Sequence, residues 1–210
     1  KKCLLVEDTS GVPHWYEICS SAHCLPEGYT ELEYIYSTCS AYIDTGIPIN
    51  TLVMPKIVTK FQMMSVGDYD YFGGSERNNA TIIYDILPPT NQYIRWGTTE
   101  YNRFTGSTAA LNFSDGFHTL EMGGQPITQE NPVMVDGARV ATLSAQSGAS
   151  LISPDTMKFF RARQNCGPSR FASFTMYSNG QPVFDGVAAK RNSDNVLGFY
   201  DLVSGTFFTN

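Results

Sequence analysis

Carboxylates two positions apart are the residues of this sequence with the spacing for glycoside hydrolysis. That reaction needs a general acid and a second carboxylate about 5–9 Å apart, and alternate positions on one strand place two side chains on the same face. Glu31 and Glu33 have this spacing, as do Asp68 and Asp70. A strand that covers a core on one side also exposes every second residue to solvent, which explains Glu31 and Glu33 without catalysis. The glycines near Asp68 and Asp70 favour a loop there.

Nucleophilic catalysis has less support in the sequence. The histidines are His14, His23 and His118, and Cys24 adjoins His23, whereas a thiol protease draws its base from elsewhere in the fold. No G-x-S-x-G segment is present, and no G-K-[S/T] follows Gly123-Gly124 to bind phosphate. We expect His118 to lie in the core or at a sheet edge, and we predict that the chain is not an enzyme.

The cysteines are concentrated at the start of the chain. Cys3, Cys19, Cys24 and Cys39 precede residue 40, and Cys166 lies alone near the end. A zinc site could be built from Cys3, Cys19, His23 and Cys24, but zinc sites usually repeat a C-x₂₋₄-C pair. A disulfide within the group is the other alternative, since pairing cannot be determined from sequence. We expect free, partly buried thiols.

Aromatic and arginine residues cluster between positions 93 and 103. Sugars stack their apolar C–H faces on Trp and Tyr rings, while Asn, Asp and Arg bind their hydroxyl groups. The predicted ligand-binding residues are Tyr93, Arg95, Trp96, Tyr101, Asn102 and Arg103, with a turn at Gly97-Thr98-Thr99. The alternative is that Trp96 and Tyr93 fill the core, where large aromatic side chains are common. Arg161 and Arg163 form a further candidate pair, which a solvated sheet face explains equally well.

The composition indicates a folded protein without a polyanionic partner. The 210 residues include 14 Lys+Arg and 20 Asp+Glu, a formal charge of −6, and 42% are hydrophobic while 16% are charged. Disordered chains combine low hydrophobicity with dense charge, and phosphate backbones bind clustered positive charge. We therefore expect no disorder and no nucleic acid. Apolar runs such as Leu4-Leu5-Val6 fall far short of the about 20 residues that span a bilayer, so we expect no membrane span.

Strands joined by turns must position these residues. Short runs rich in Tyr, Phe, Val, Ile and Thr are separated by Gly, Pro, Asn and Asp, and Gly or Pro interrupts every candidate helix. Alternation of apolar and polar residues predicts strands at 30–36, 41–47, 56–64 and 116–122. Further strands are predicted at 69–73, 80–87, 92–97, 102–106, 157–164, 171–177 and 181–187. About a dozen strands over some 180 residues predict a jelly-roll sandwich of two sheets packed face to face.

Three dipeptides predict tight turns between strands. Asp136-Gly137 joins 133–135 to 138–143, Asn179-Gly180 leads into 181–187, and Ser204-Gly205 joins 198–203 to 206–209. Residues of these types accept a positive φ at low cost and so close short hairpins.

Both ends of the chain resemble one known family. The similarity lies in LPEGYTELEYIYSTCSAYIDTGI at 25–47, MKFFRAR at 157–163, FTMY at 174–177, KRNSD at 190–194 and the closing segment 197–210. These segments resemble the concanavalin-A-like, laminin-G-like jelly-roll domains of gut bacterial surface, prophage and phage structural proteins. Cys39 departs from that family, which more often has a small turn residue such as Gly. The resemblance implies an all-β, concanavalin-A-like jelly-roll sandwich of two antiparallel sheets at 26–210. Residues 1–25 carry few periodic signals and contain Gly11-Val12-Pro13, which predicts an N-terminal linker or lead-in strand pair.

The resemblance also implies a cofactor to consider. Related laminin-G-like modules hold calcium through loop oxygens, and the candidates here are Asp68, Asp70, Asn192, Asp194 and Asn195. Such residues in turns normally bond to their own backbone. We therefore expect no cofactor, with calcium as the alternative.

These residues and the resemblance together predict a non-enzymatic surface or virion-associated module for adhesion that binds cell-surface glycans. It would be extracellular, on a bacterial cell surface or a phage virion, and attached to other protein subunits through its N-terminal segment. The alternative is a structural scaffold or decoration domain of a phage particle that binds other subunits. The third candidate is a glycoside hydrolase. The abrupt KKC start indicates a piece of a longer protein.

Overall fold

The structure is a computed structural model, and the part that it describes is almost entirely β. It describes the backbone of residues 2–7, 13–18, 25–37, 42–64, 69–73, 81–87, 91–97, 101–103, 113–143, 151, 154–160 and 168–209, and the side chains of 25–37, 42–64, 113–143, 151, 154–160 and 168–209. One 3₁₀ turn, Ile49–Thr51, is the only helical element in these ranges. Within the described residues, no helix is long and apolar enough to cross a bilayer.

The described residues form eighteen strands. In chain order they are β1 (Lys2–Glu7), β2 (Pro13–Ile18), β3 (Tyr29–Glu31), β4 (Ile35–Ser37), β5 (Ile43–Pro48), β6 (Lys56–Met63), β7 (Tyr69–Gly73), β8 (Thr81–Leu87), β9 (Asn91–Gly97), β10 (Tyr101–Arg103), β11 (His118–Gly123), β12 (Asn131–Val135), β13 (Ala138–Leu143), β14 (Thr156–Phe159), β15 (Ser169–Ser178), β16 (Gln181–Arg191), β17 (Leu197–Asp201) and β18 (Thr206–Phe208).

Two large antiparallel sheets contain most of these strands. The ten-stranded sheet has the order β13-β12-β11-β6-β15-β16-β17-β18, with β3 beside β16 and β4 beside β15, and the six-stranded sheet has the order β10-β9-β8-β7-β14-β5. β1 and β2 pair with each other in a separate two-stranded sheet. The prediction of an all-β jelly-roll sandwich is confirmed, while the domain boundary at residue 25 stays a prediction.

Packing between the two sheets is centred on Phe159 of β14. Its ring centroid lies 4.3 Å from that of Phe174, 5.5 Å from that of Phe184 and 5.2 Å from that of Phe199. These partners belong to β15, β16 and β17 of the other sheet, and all four side chains are fully buried. Burying one such side chain contributes about 1.5–3 kcal/mol. The sheets therefore pack face to face through phenylalanine rings.

β6 lies near the middle of the ten-stranded sheet and shows the predicted alternation. Ile57 and Phe61 are fully buried, and Thr59 is buried with its hydroxyl donating to the carbonyl of Ser173 at 2.9 Å. Lys60, between them in sequence, is exposed. One face of the sheet therefore covers the core, and we call the opposite face the outer face.

The prediction of a single strand at 30–36 is wrong. The chain forms two short strands there, β3 and β4, with a bend between them. β3 pairs with the end of β16, and β4 pairs with the start of β15. β15 and β16 pair with each other only from Ser173 opposite Val187 to Ser178 opposite Gln181. Where the two long strands separate, residues 29–37 fill the gap, and the bend is the place where the segment changes partner.

Two of the three predicted turns are confirmed. Asp136 and Gly137 have φ values of 49° and 80° and join the paired residues Val135 and Ala138. The Asn179-Gly180 turn has φ values of 50° and 76° and joins β15 to β16. Positive φ at both central residues is the backbone that a two-residue hairpin loop needs.

The third turn is larger than predicted. β17 ends at Asp201, which pairs with Thr206, so that four residues rather than Ser204-Gly205 alone form the loop. The carboxylate of Asp201 accepts hydrogen bonds from the backbone N–H groups of Val203 and Ser204, both at 3.1 Å, and from the Ser204 hydroxyl at 2.6 Å. These bonds satisfy the loop amides and stabilise the longer connection.

The strand predicted at 157–164 does not continue through Phe160, and residues 161–164 lie outside the described residues. β14 ends at Phe159, and Phe160 has a φ of 67°. Left-handed backbone is uncommon for a bulky residue. Here it allows two consecutive side chains, Phe159 and Phe160, to be buried together, which a regular strand with alternating faces would prevent.

Candidate ligand-binding surfaces

The residues predicted to bind a ligand lie on two paired strands. Tyr93, Arg95 and Trp96 belong to β9, and Tyr101, Asn102 and Arg103 belong to β10. The register places Tyr101 opposite Arg95, Asn102 opposite Ile94 and Arg103 opposite Tyr93. β10 ends the strand order of the six-stranded sheet. The backbone therefore brings all six positions to one end of this sheet, where Tyr93, Arg95, Tyr101 and Arg103 occupy one set of alternate positions and Trp96 and Asn102 occupy the other.

Sequence reasoning missed a second surface, on the outer face of the ten-stranded sheet. Arg170 of β15 pairs with Gln62 of β6 on one side and with Tyr36 of β4 on the other. Ser169 and Phe171, which flank it in sequence, are fully buried on the core side. Alternation therefore directs Arg170 to the outer face.

Aromatic rings surround the Arg170 guanidinium. Its carbon Cζ lies 4.8 Å from the ring centroid of Tyr34 and 6.0 Å from that of Tyr36. The Tyr34 ring also contacts Phe117, with centroids 5.6 Å apart. Nη1 of Arg170 donates a hydrogen bond of 3.3 Å to Oε1 of Gln62. We call these five residues, Tyr34, Tyr36, Gln62, Phe117 and Arg170, the Arg170 surface.

The positive charge of Arg170 has no acidic partner among the described residues. No carboxylate in the described ranges forms an ion pair with it, and its Nε atom is buried without a hydrogen-bond acceptor there. Arg191, on the same sheet, contrasts with it. The Arg191 guanidinium binds the Asp194 carboxylate through contacts of 2.7–3.1 Å, and these hydrogen bonds raise the pKa of Arg191 and lower that of Asp194.

The carboxylate pairs considered for hydrolysis do not form the predicted arrangement in the described residues. Glu31 ends β3, whereas Glu33 is exposed in the bend before β4, so the two are not alternate residues of one strand. Oε2 of Glu31 is buried without a hydrogen-bond donor in the described part of the chain. Asp70 lies in β7, and Asp68 lies outside the described residues.

The calcium candidates with described side chains, Asn192, Asp194 and Asn195, lie in the connection between β16 and β17. Asp194 binds Arg191 and accepts a hydrogen bond from the N–H of Val196 at 3.3 Å, and Asn192 accepts one from the Thr30 hydroxyl at 2.8 Å. Asn195 has a φ of 59°. Among the residues with described side chains, no group of three His, Cys, Asp or Glu could hold a metal ion.

The remaining cysteine, histidine and arginine candidates lie in strands described by their backbone or outside the described residues. Cys3 lies in β1 and His14 in β2, as backbone positions. Cys19, His23, Cys24, Cys39, Arg161, Arg163 and Cys166 lie outside the described residues. The zinc, disulfide and free-thiol alternatives therefore stay predictions.

His118 lies at the start of β11, between two carboxylates. Its Nδ1 atom is 2.6 Å from Oδ2 of Asp136, and its Nε2 atom is 2.8 Å from Oδ1 of Asp115. The hydrogen bond to Asp136 raises the pKa of His118, although partial burial opposes the rise. The pKa of Asp136 is lowered, first by the backbone N–H of Thr119 and then by His118. With both ring nitrogens engaged, His118 links the start of β11 to the turn between β12 and β13. β11 lies between β12 and β6, so the expected position at a sheet edge is wrong.

No protein-family model and no curated protein matches this sequence. Solved structures are similar in fold. The CBM40 of the Ruminococcus gnavus IT-sialidase, bound to α2,3-sialyllactose, has a TM-score of 0.53 at 12% identity, covering 70% of this chain and 91% of that one. The same CBM40 in a second structure has a TM-score of 0.51 at 11% identity, covering 72% of this chain and 90% of that one. An HCR/D mutant has a TM-score of 0.51 at 10% identity, covering 93% of this chain and 62% of that one.

Proposed function

We propose that this chain is a non-enzymatic jelly-roll module for adhesion that binds cell-surface glycans. The observation that carries the proposal is the register of β9 and β10. It places Tyr93, Arg95, Tyr101 and Arg103 on one set of alternate positions at the end of a sheet, with Trp96 and Asn102 on the other set of the same two strands. Aromatic rings and planar polar groups together are what sugar recognition uses, since a sugar offers both apolar C–H faces and hydroxyl groups.

The similarity of fold gives this proposal independent support. The CBM40 domain was solved with sialyllactose, and its two-layer architecture covers most of this chain at a TM-score of 0.53. At 12% identity, the similarity shows a shared fold and does not identify a shared ligand. The ligand of this chain must therefore be argued from its own residues.

The proposed setting is extracellular, on a bacterial cell surface or a phage virion. The resemblance of segments 25–47 and 197–210 to laminin-G-like domains of gut bacterial and phage proteins supports this setting. In it the module would be attached to other protein subunits of a larger assembly, with the N-terminal segment as the attachment.

A glycan array probed with the purified chain tests the proposal. We expect binding to a defined set of glycans, and a loss of about tenfold or more in Trp96→Ala, the effect of removing a central aromatic contact. The chain has two tryptophans, and Trp15, in the separate β1–β2 sheet, provides the matched control. Trp15→Ala should bind as the wild type does.

Two further measurements on the same protein, of self-association and of polysaccharide turnover, separate the other candidates. Stable self-association without binding to any glycan would favour the scaffold or decoration domain and refute glycan binding. Turnover of a polysaccharide, abolished by one member of a Glu→Gln series, would instead support the glycoside hydrolase. Circular dichroism of each variant should match the wild type, so that a lost fold is not taken for a lost site.

A further inference from the structure

The Arg170 surface combines a positive charge with an accessible ring. A guanidinium has five N–H donors, and within the described residues one of them, on Nη1, bonds to the neutral amide of Gln62. The Arg170 side chain is partly buried. Charge held in a partly desolvated position interacts more strongly with an approaching anion than charge in open water does.

The two tyrosines contribute in different ways. Tyr34 lies against the guanidinium at 4.8 Å and also packs on Phe117, so it holds the plane of the guanidinium by a cation–π contact. Tyr36 is farther away, at 6.0 Å, and its side chain is 48% exposed. Tyr36 therefore offers an aromatic surface beside a fixed charge.

We propose that the Arg170 surface binds the carboxylate of an acidic sugar, while Tyr36 contacts the C–H face of the same sugar ring. This inference rests on the proposed glycan-binding function and adds a second contact surface, on the ten-stranded sheet, with its own ligand class. A carboxylate is planar and presents two acceptors that match the donor fork of arginine. The exposed Tyr36 ring next to that fork favours an acidic sugar over a small carboxylic acid. The C–H face of a sugar can pack on the tyrosine ring, and a small carboxylic acid has no such face.

The net charge of the chain limits the ligand further. A formal charge of −6 repels polyanions at long range. A glycan that is mostly neutral and carries one carboxylate near Arg170 avoids most of this repulsion. Uronic acids and sialic acids both supply such a carboxylate, and the experiment distinguishes them.

Paired ligands that differ in the carboxylate test the inference by calorimetry. Sialyllactose is compared with its methyl ester, and an oligosaccharide that carries a single glucuronic acid is compared with its methyl ester. We expect the wild type to prefer at least one acidic member by about tenfold or more, the effect of a charged hydrogen bond. The pair that shows the preference identifies the source of the carboxylate. Equal affinity for both members of both pairs would overturn the inference.

Substitution of Arg170 then locates the preference. Arg170→Met should remove the discrimination between acidic and neutral members, whereas Arg170→Lys, which keeps the charge but loses the fork, should retain part of it. Arg139→Met makes the same charge change on β13, at the far end of the sheet order, and should keep the full preference. A preference that persists in Arg170→Met would overturn the inference.

Tyr36→Ala tests the same surface without changing Arg170, so the result stands even if an Arg170 variant fails to fold. Because Tyr36 is exposed, we expect the variant to fold and to bind both members of the preferred pair several-fold more weakly. Unchanged affinity would overturn the proposed contact. Binding of neutral glycans without an acidic preference would leave the proposed function intact and remove this inference alone, whereas no binding of any glycan would remove both.

Discussion

The imidazole of His118 bridges two carboxylates, with its Nδ1 atom 2.6 Å from Oδ2 of Asp136 and its Nε2 atom 2.8 Å from Oδ1 of Asp115. The protonated ring has a donor on each nitrogen and satisfies both contacts, whereas the neutral ring has one donor. His118 therefore stabilises the fold most in its charged form, in agreement with its raised pKa.

We predict that stability falls as the pH rises through the raised pKa of His118. A histidine whose pKa is higher in the folded than in the unfolded state contributes fully below the unfolded value, about 6.5, and loses the contribution above the folded value. The loss should be at most about 1 kcal/mol, because Asp136 is half-exposed and solvent screens the pair. Urea denaturation from about pH 5.5 to about pH 8.5 measures it.

His118→Gln is the control for this prediction and should flatten the stability profile in that range. The lowered pKa of Asp136 acts at a different pH, since its contribution is complete above the ordinary carboxyl pKa and is lost as the pH falls through the lowered value. The same neutral-range profile in wild type and His118→Gln would contradict the assignment.

Phe159→Ala should lower the free energy of unfolding by about 3–5 kcal/mol. The residue is fully buried, and its ring contacts partners from three strands of the opposite sheet. Phe208→Ala is the matched control, because Phe208 is partly buried and its described ring contact is with Phe184. Denaturant titration of both variants should give a clearly smaller loss for Phe208→Ala, and equal losses would refute the central role of Phe159.

Asp201→Asn should destabilise the fold by about 2 kcal/mol, because its amide N–H₂ would face donors rather than acceptors. The Asp201 carboxylate is almost fully buried and accepts hydrogen bonds from backbone N–H groups of Asp185, Val203 and Ser204. Asp44→Asn removes a carboxylate that accepts one backbone N–H, at 2.9 Å, and should change thermal unfolding little. A similar decrease in Tm for both variants would argue against the capping role of Asp201.

Gly198→Ala should cost about 1–3 kcal/mol, the usual penalty for overpacking. A Cβ at this position would overlap the carbonyl oxygen of Phe208 and lie 2.7 Å from Cζ of Phe207. Gly116→Ala is the control, since a Cβ there has no neighbour within 4 Å. Guanidinium denaturation should separate the two variants, and a Gly198→Ala protein as stable as the wild type would show that β18 can move away.

Local pattern was enough to predict much of the fold. β6 has regular antiparallel neighbours and one buried face, so its alternation is visible in the sequence, and the Asp136-Gly137 turn needs nothing beyond its own dipeptide. The bend at 32–34 could not be predicted, because it depends on where β15 and β16 separate, far along the chain. The loop after β17 depends on hydrogen bonds from the Asp201 side chain, which composition does not reveal.

The two candidate surfaces differ in the same way. The residues on β9 and β10 lie within a few positions of one another, so their clustering is a property of the sequence, and the pairing of the two strands follows from the short connection. The Arg170 surface draws on four separate segments, and Arg170 and Gln62 are 108 positions apart. Only the strand order brings them together.

The insertion of residues 29–37 between β15 and β16 also determines how this protein can be synthesised and folded. The segment is synthesised well before both of its pairing partners, which lie at 169–171 and 189–191. It must therefore stay unpaired until the chain has been synthesised as far as these partners. A topology dominated by such distant contacts folds slowly, in about milliseconds to seconds. Truncation before residue 169 should leave residues 29–37 without partners, as a target for chaperones and proteases.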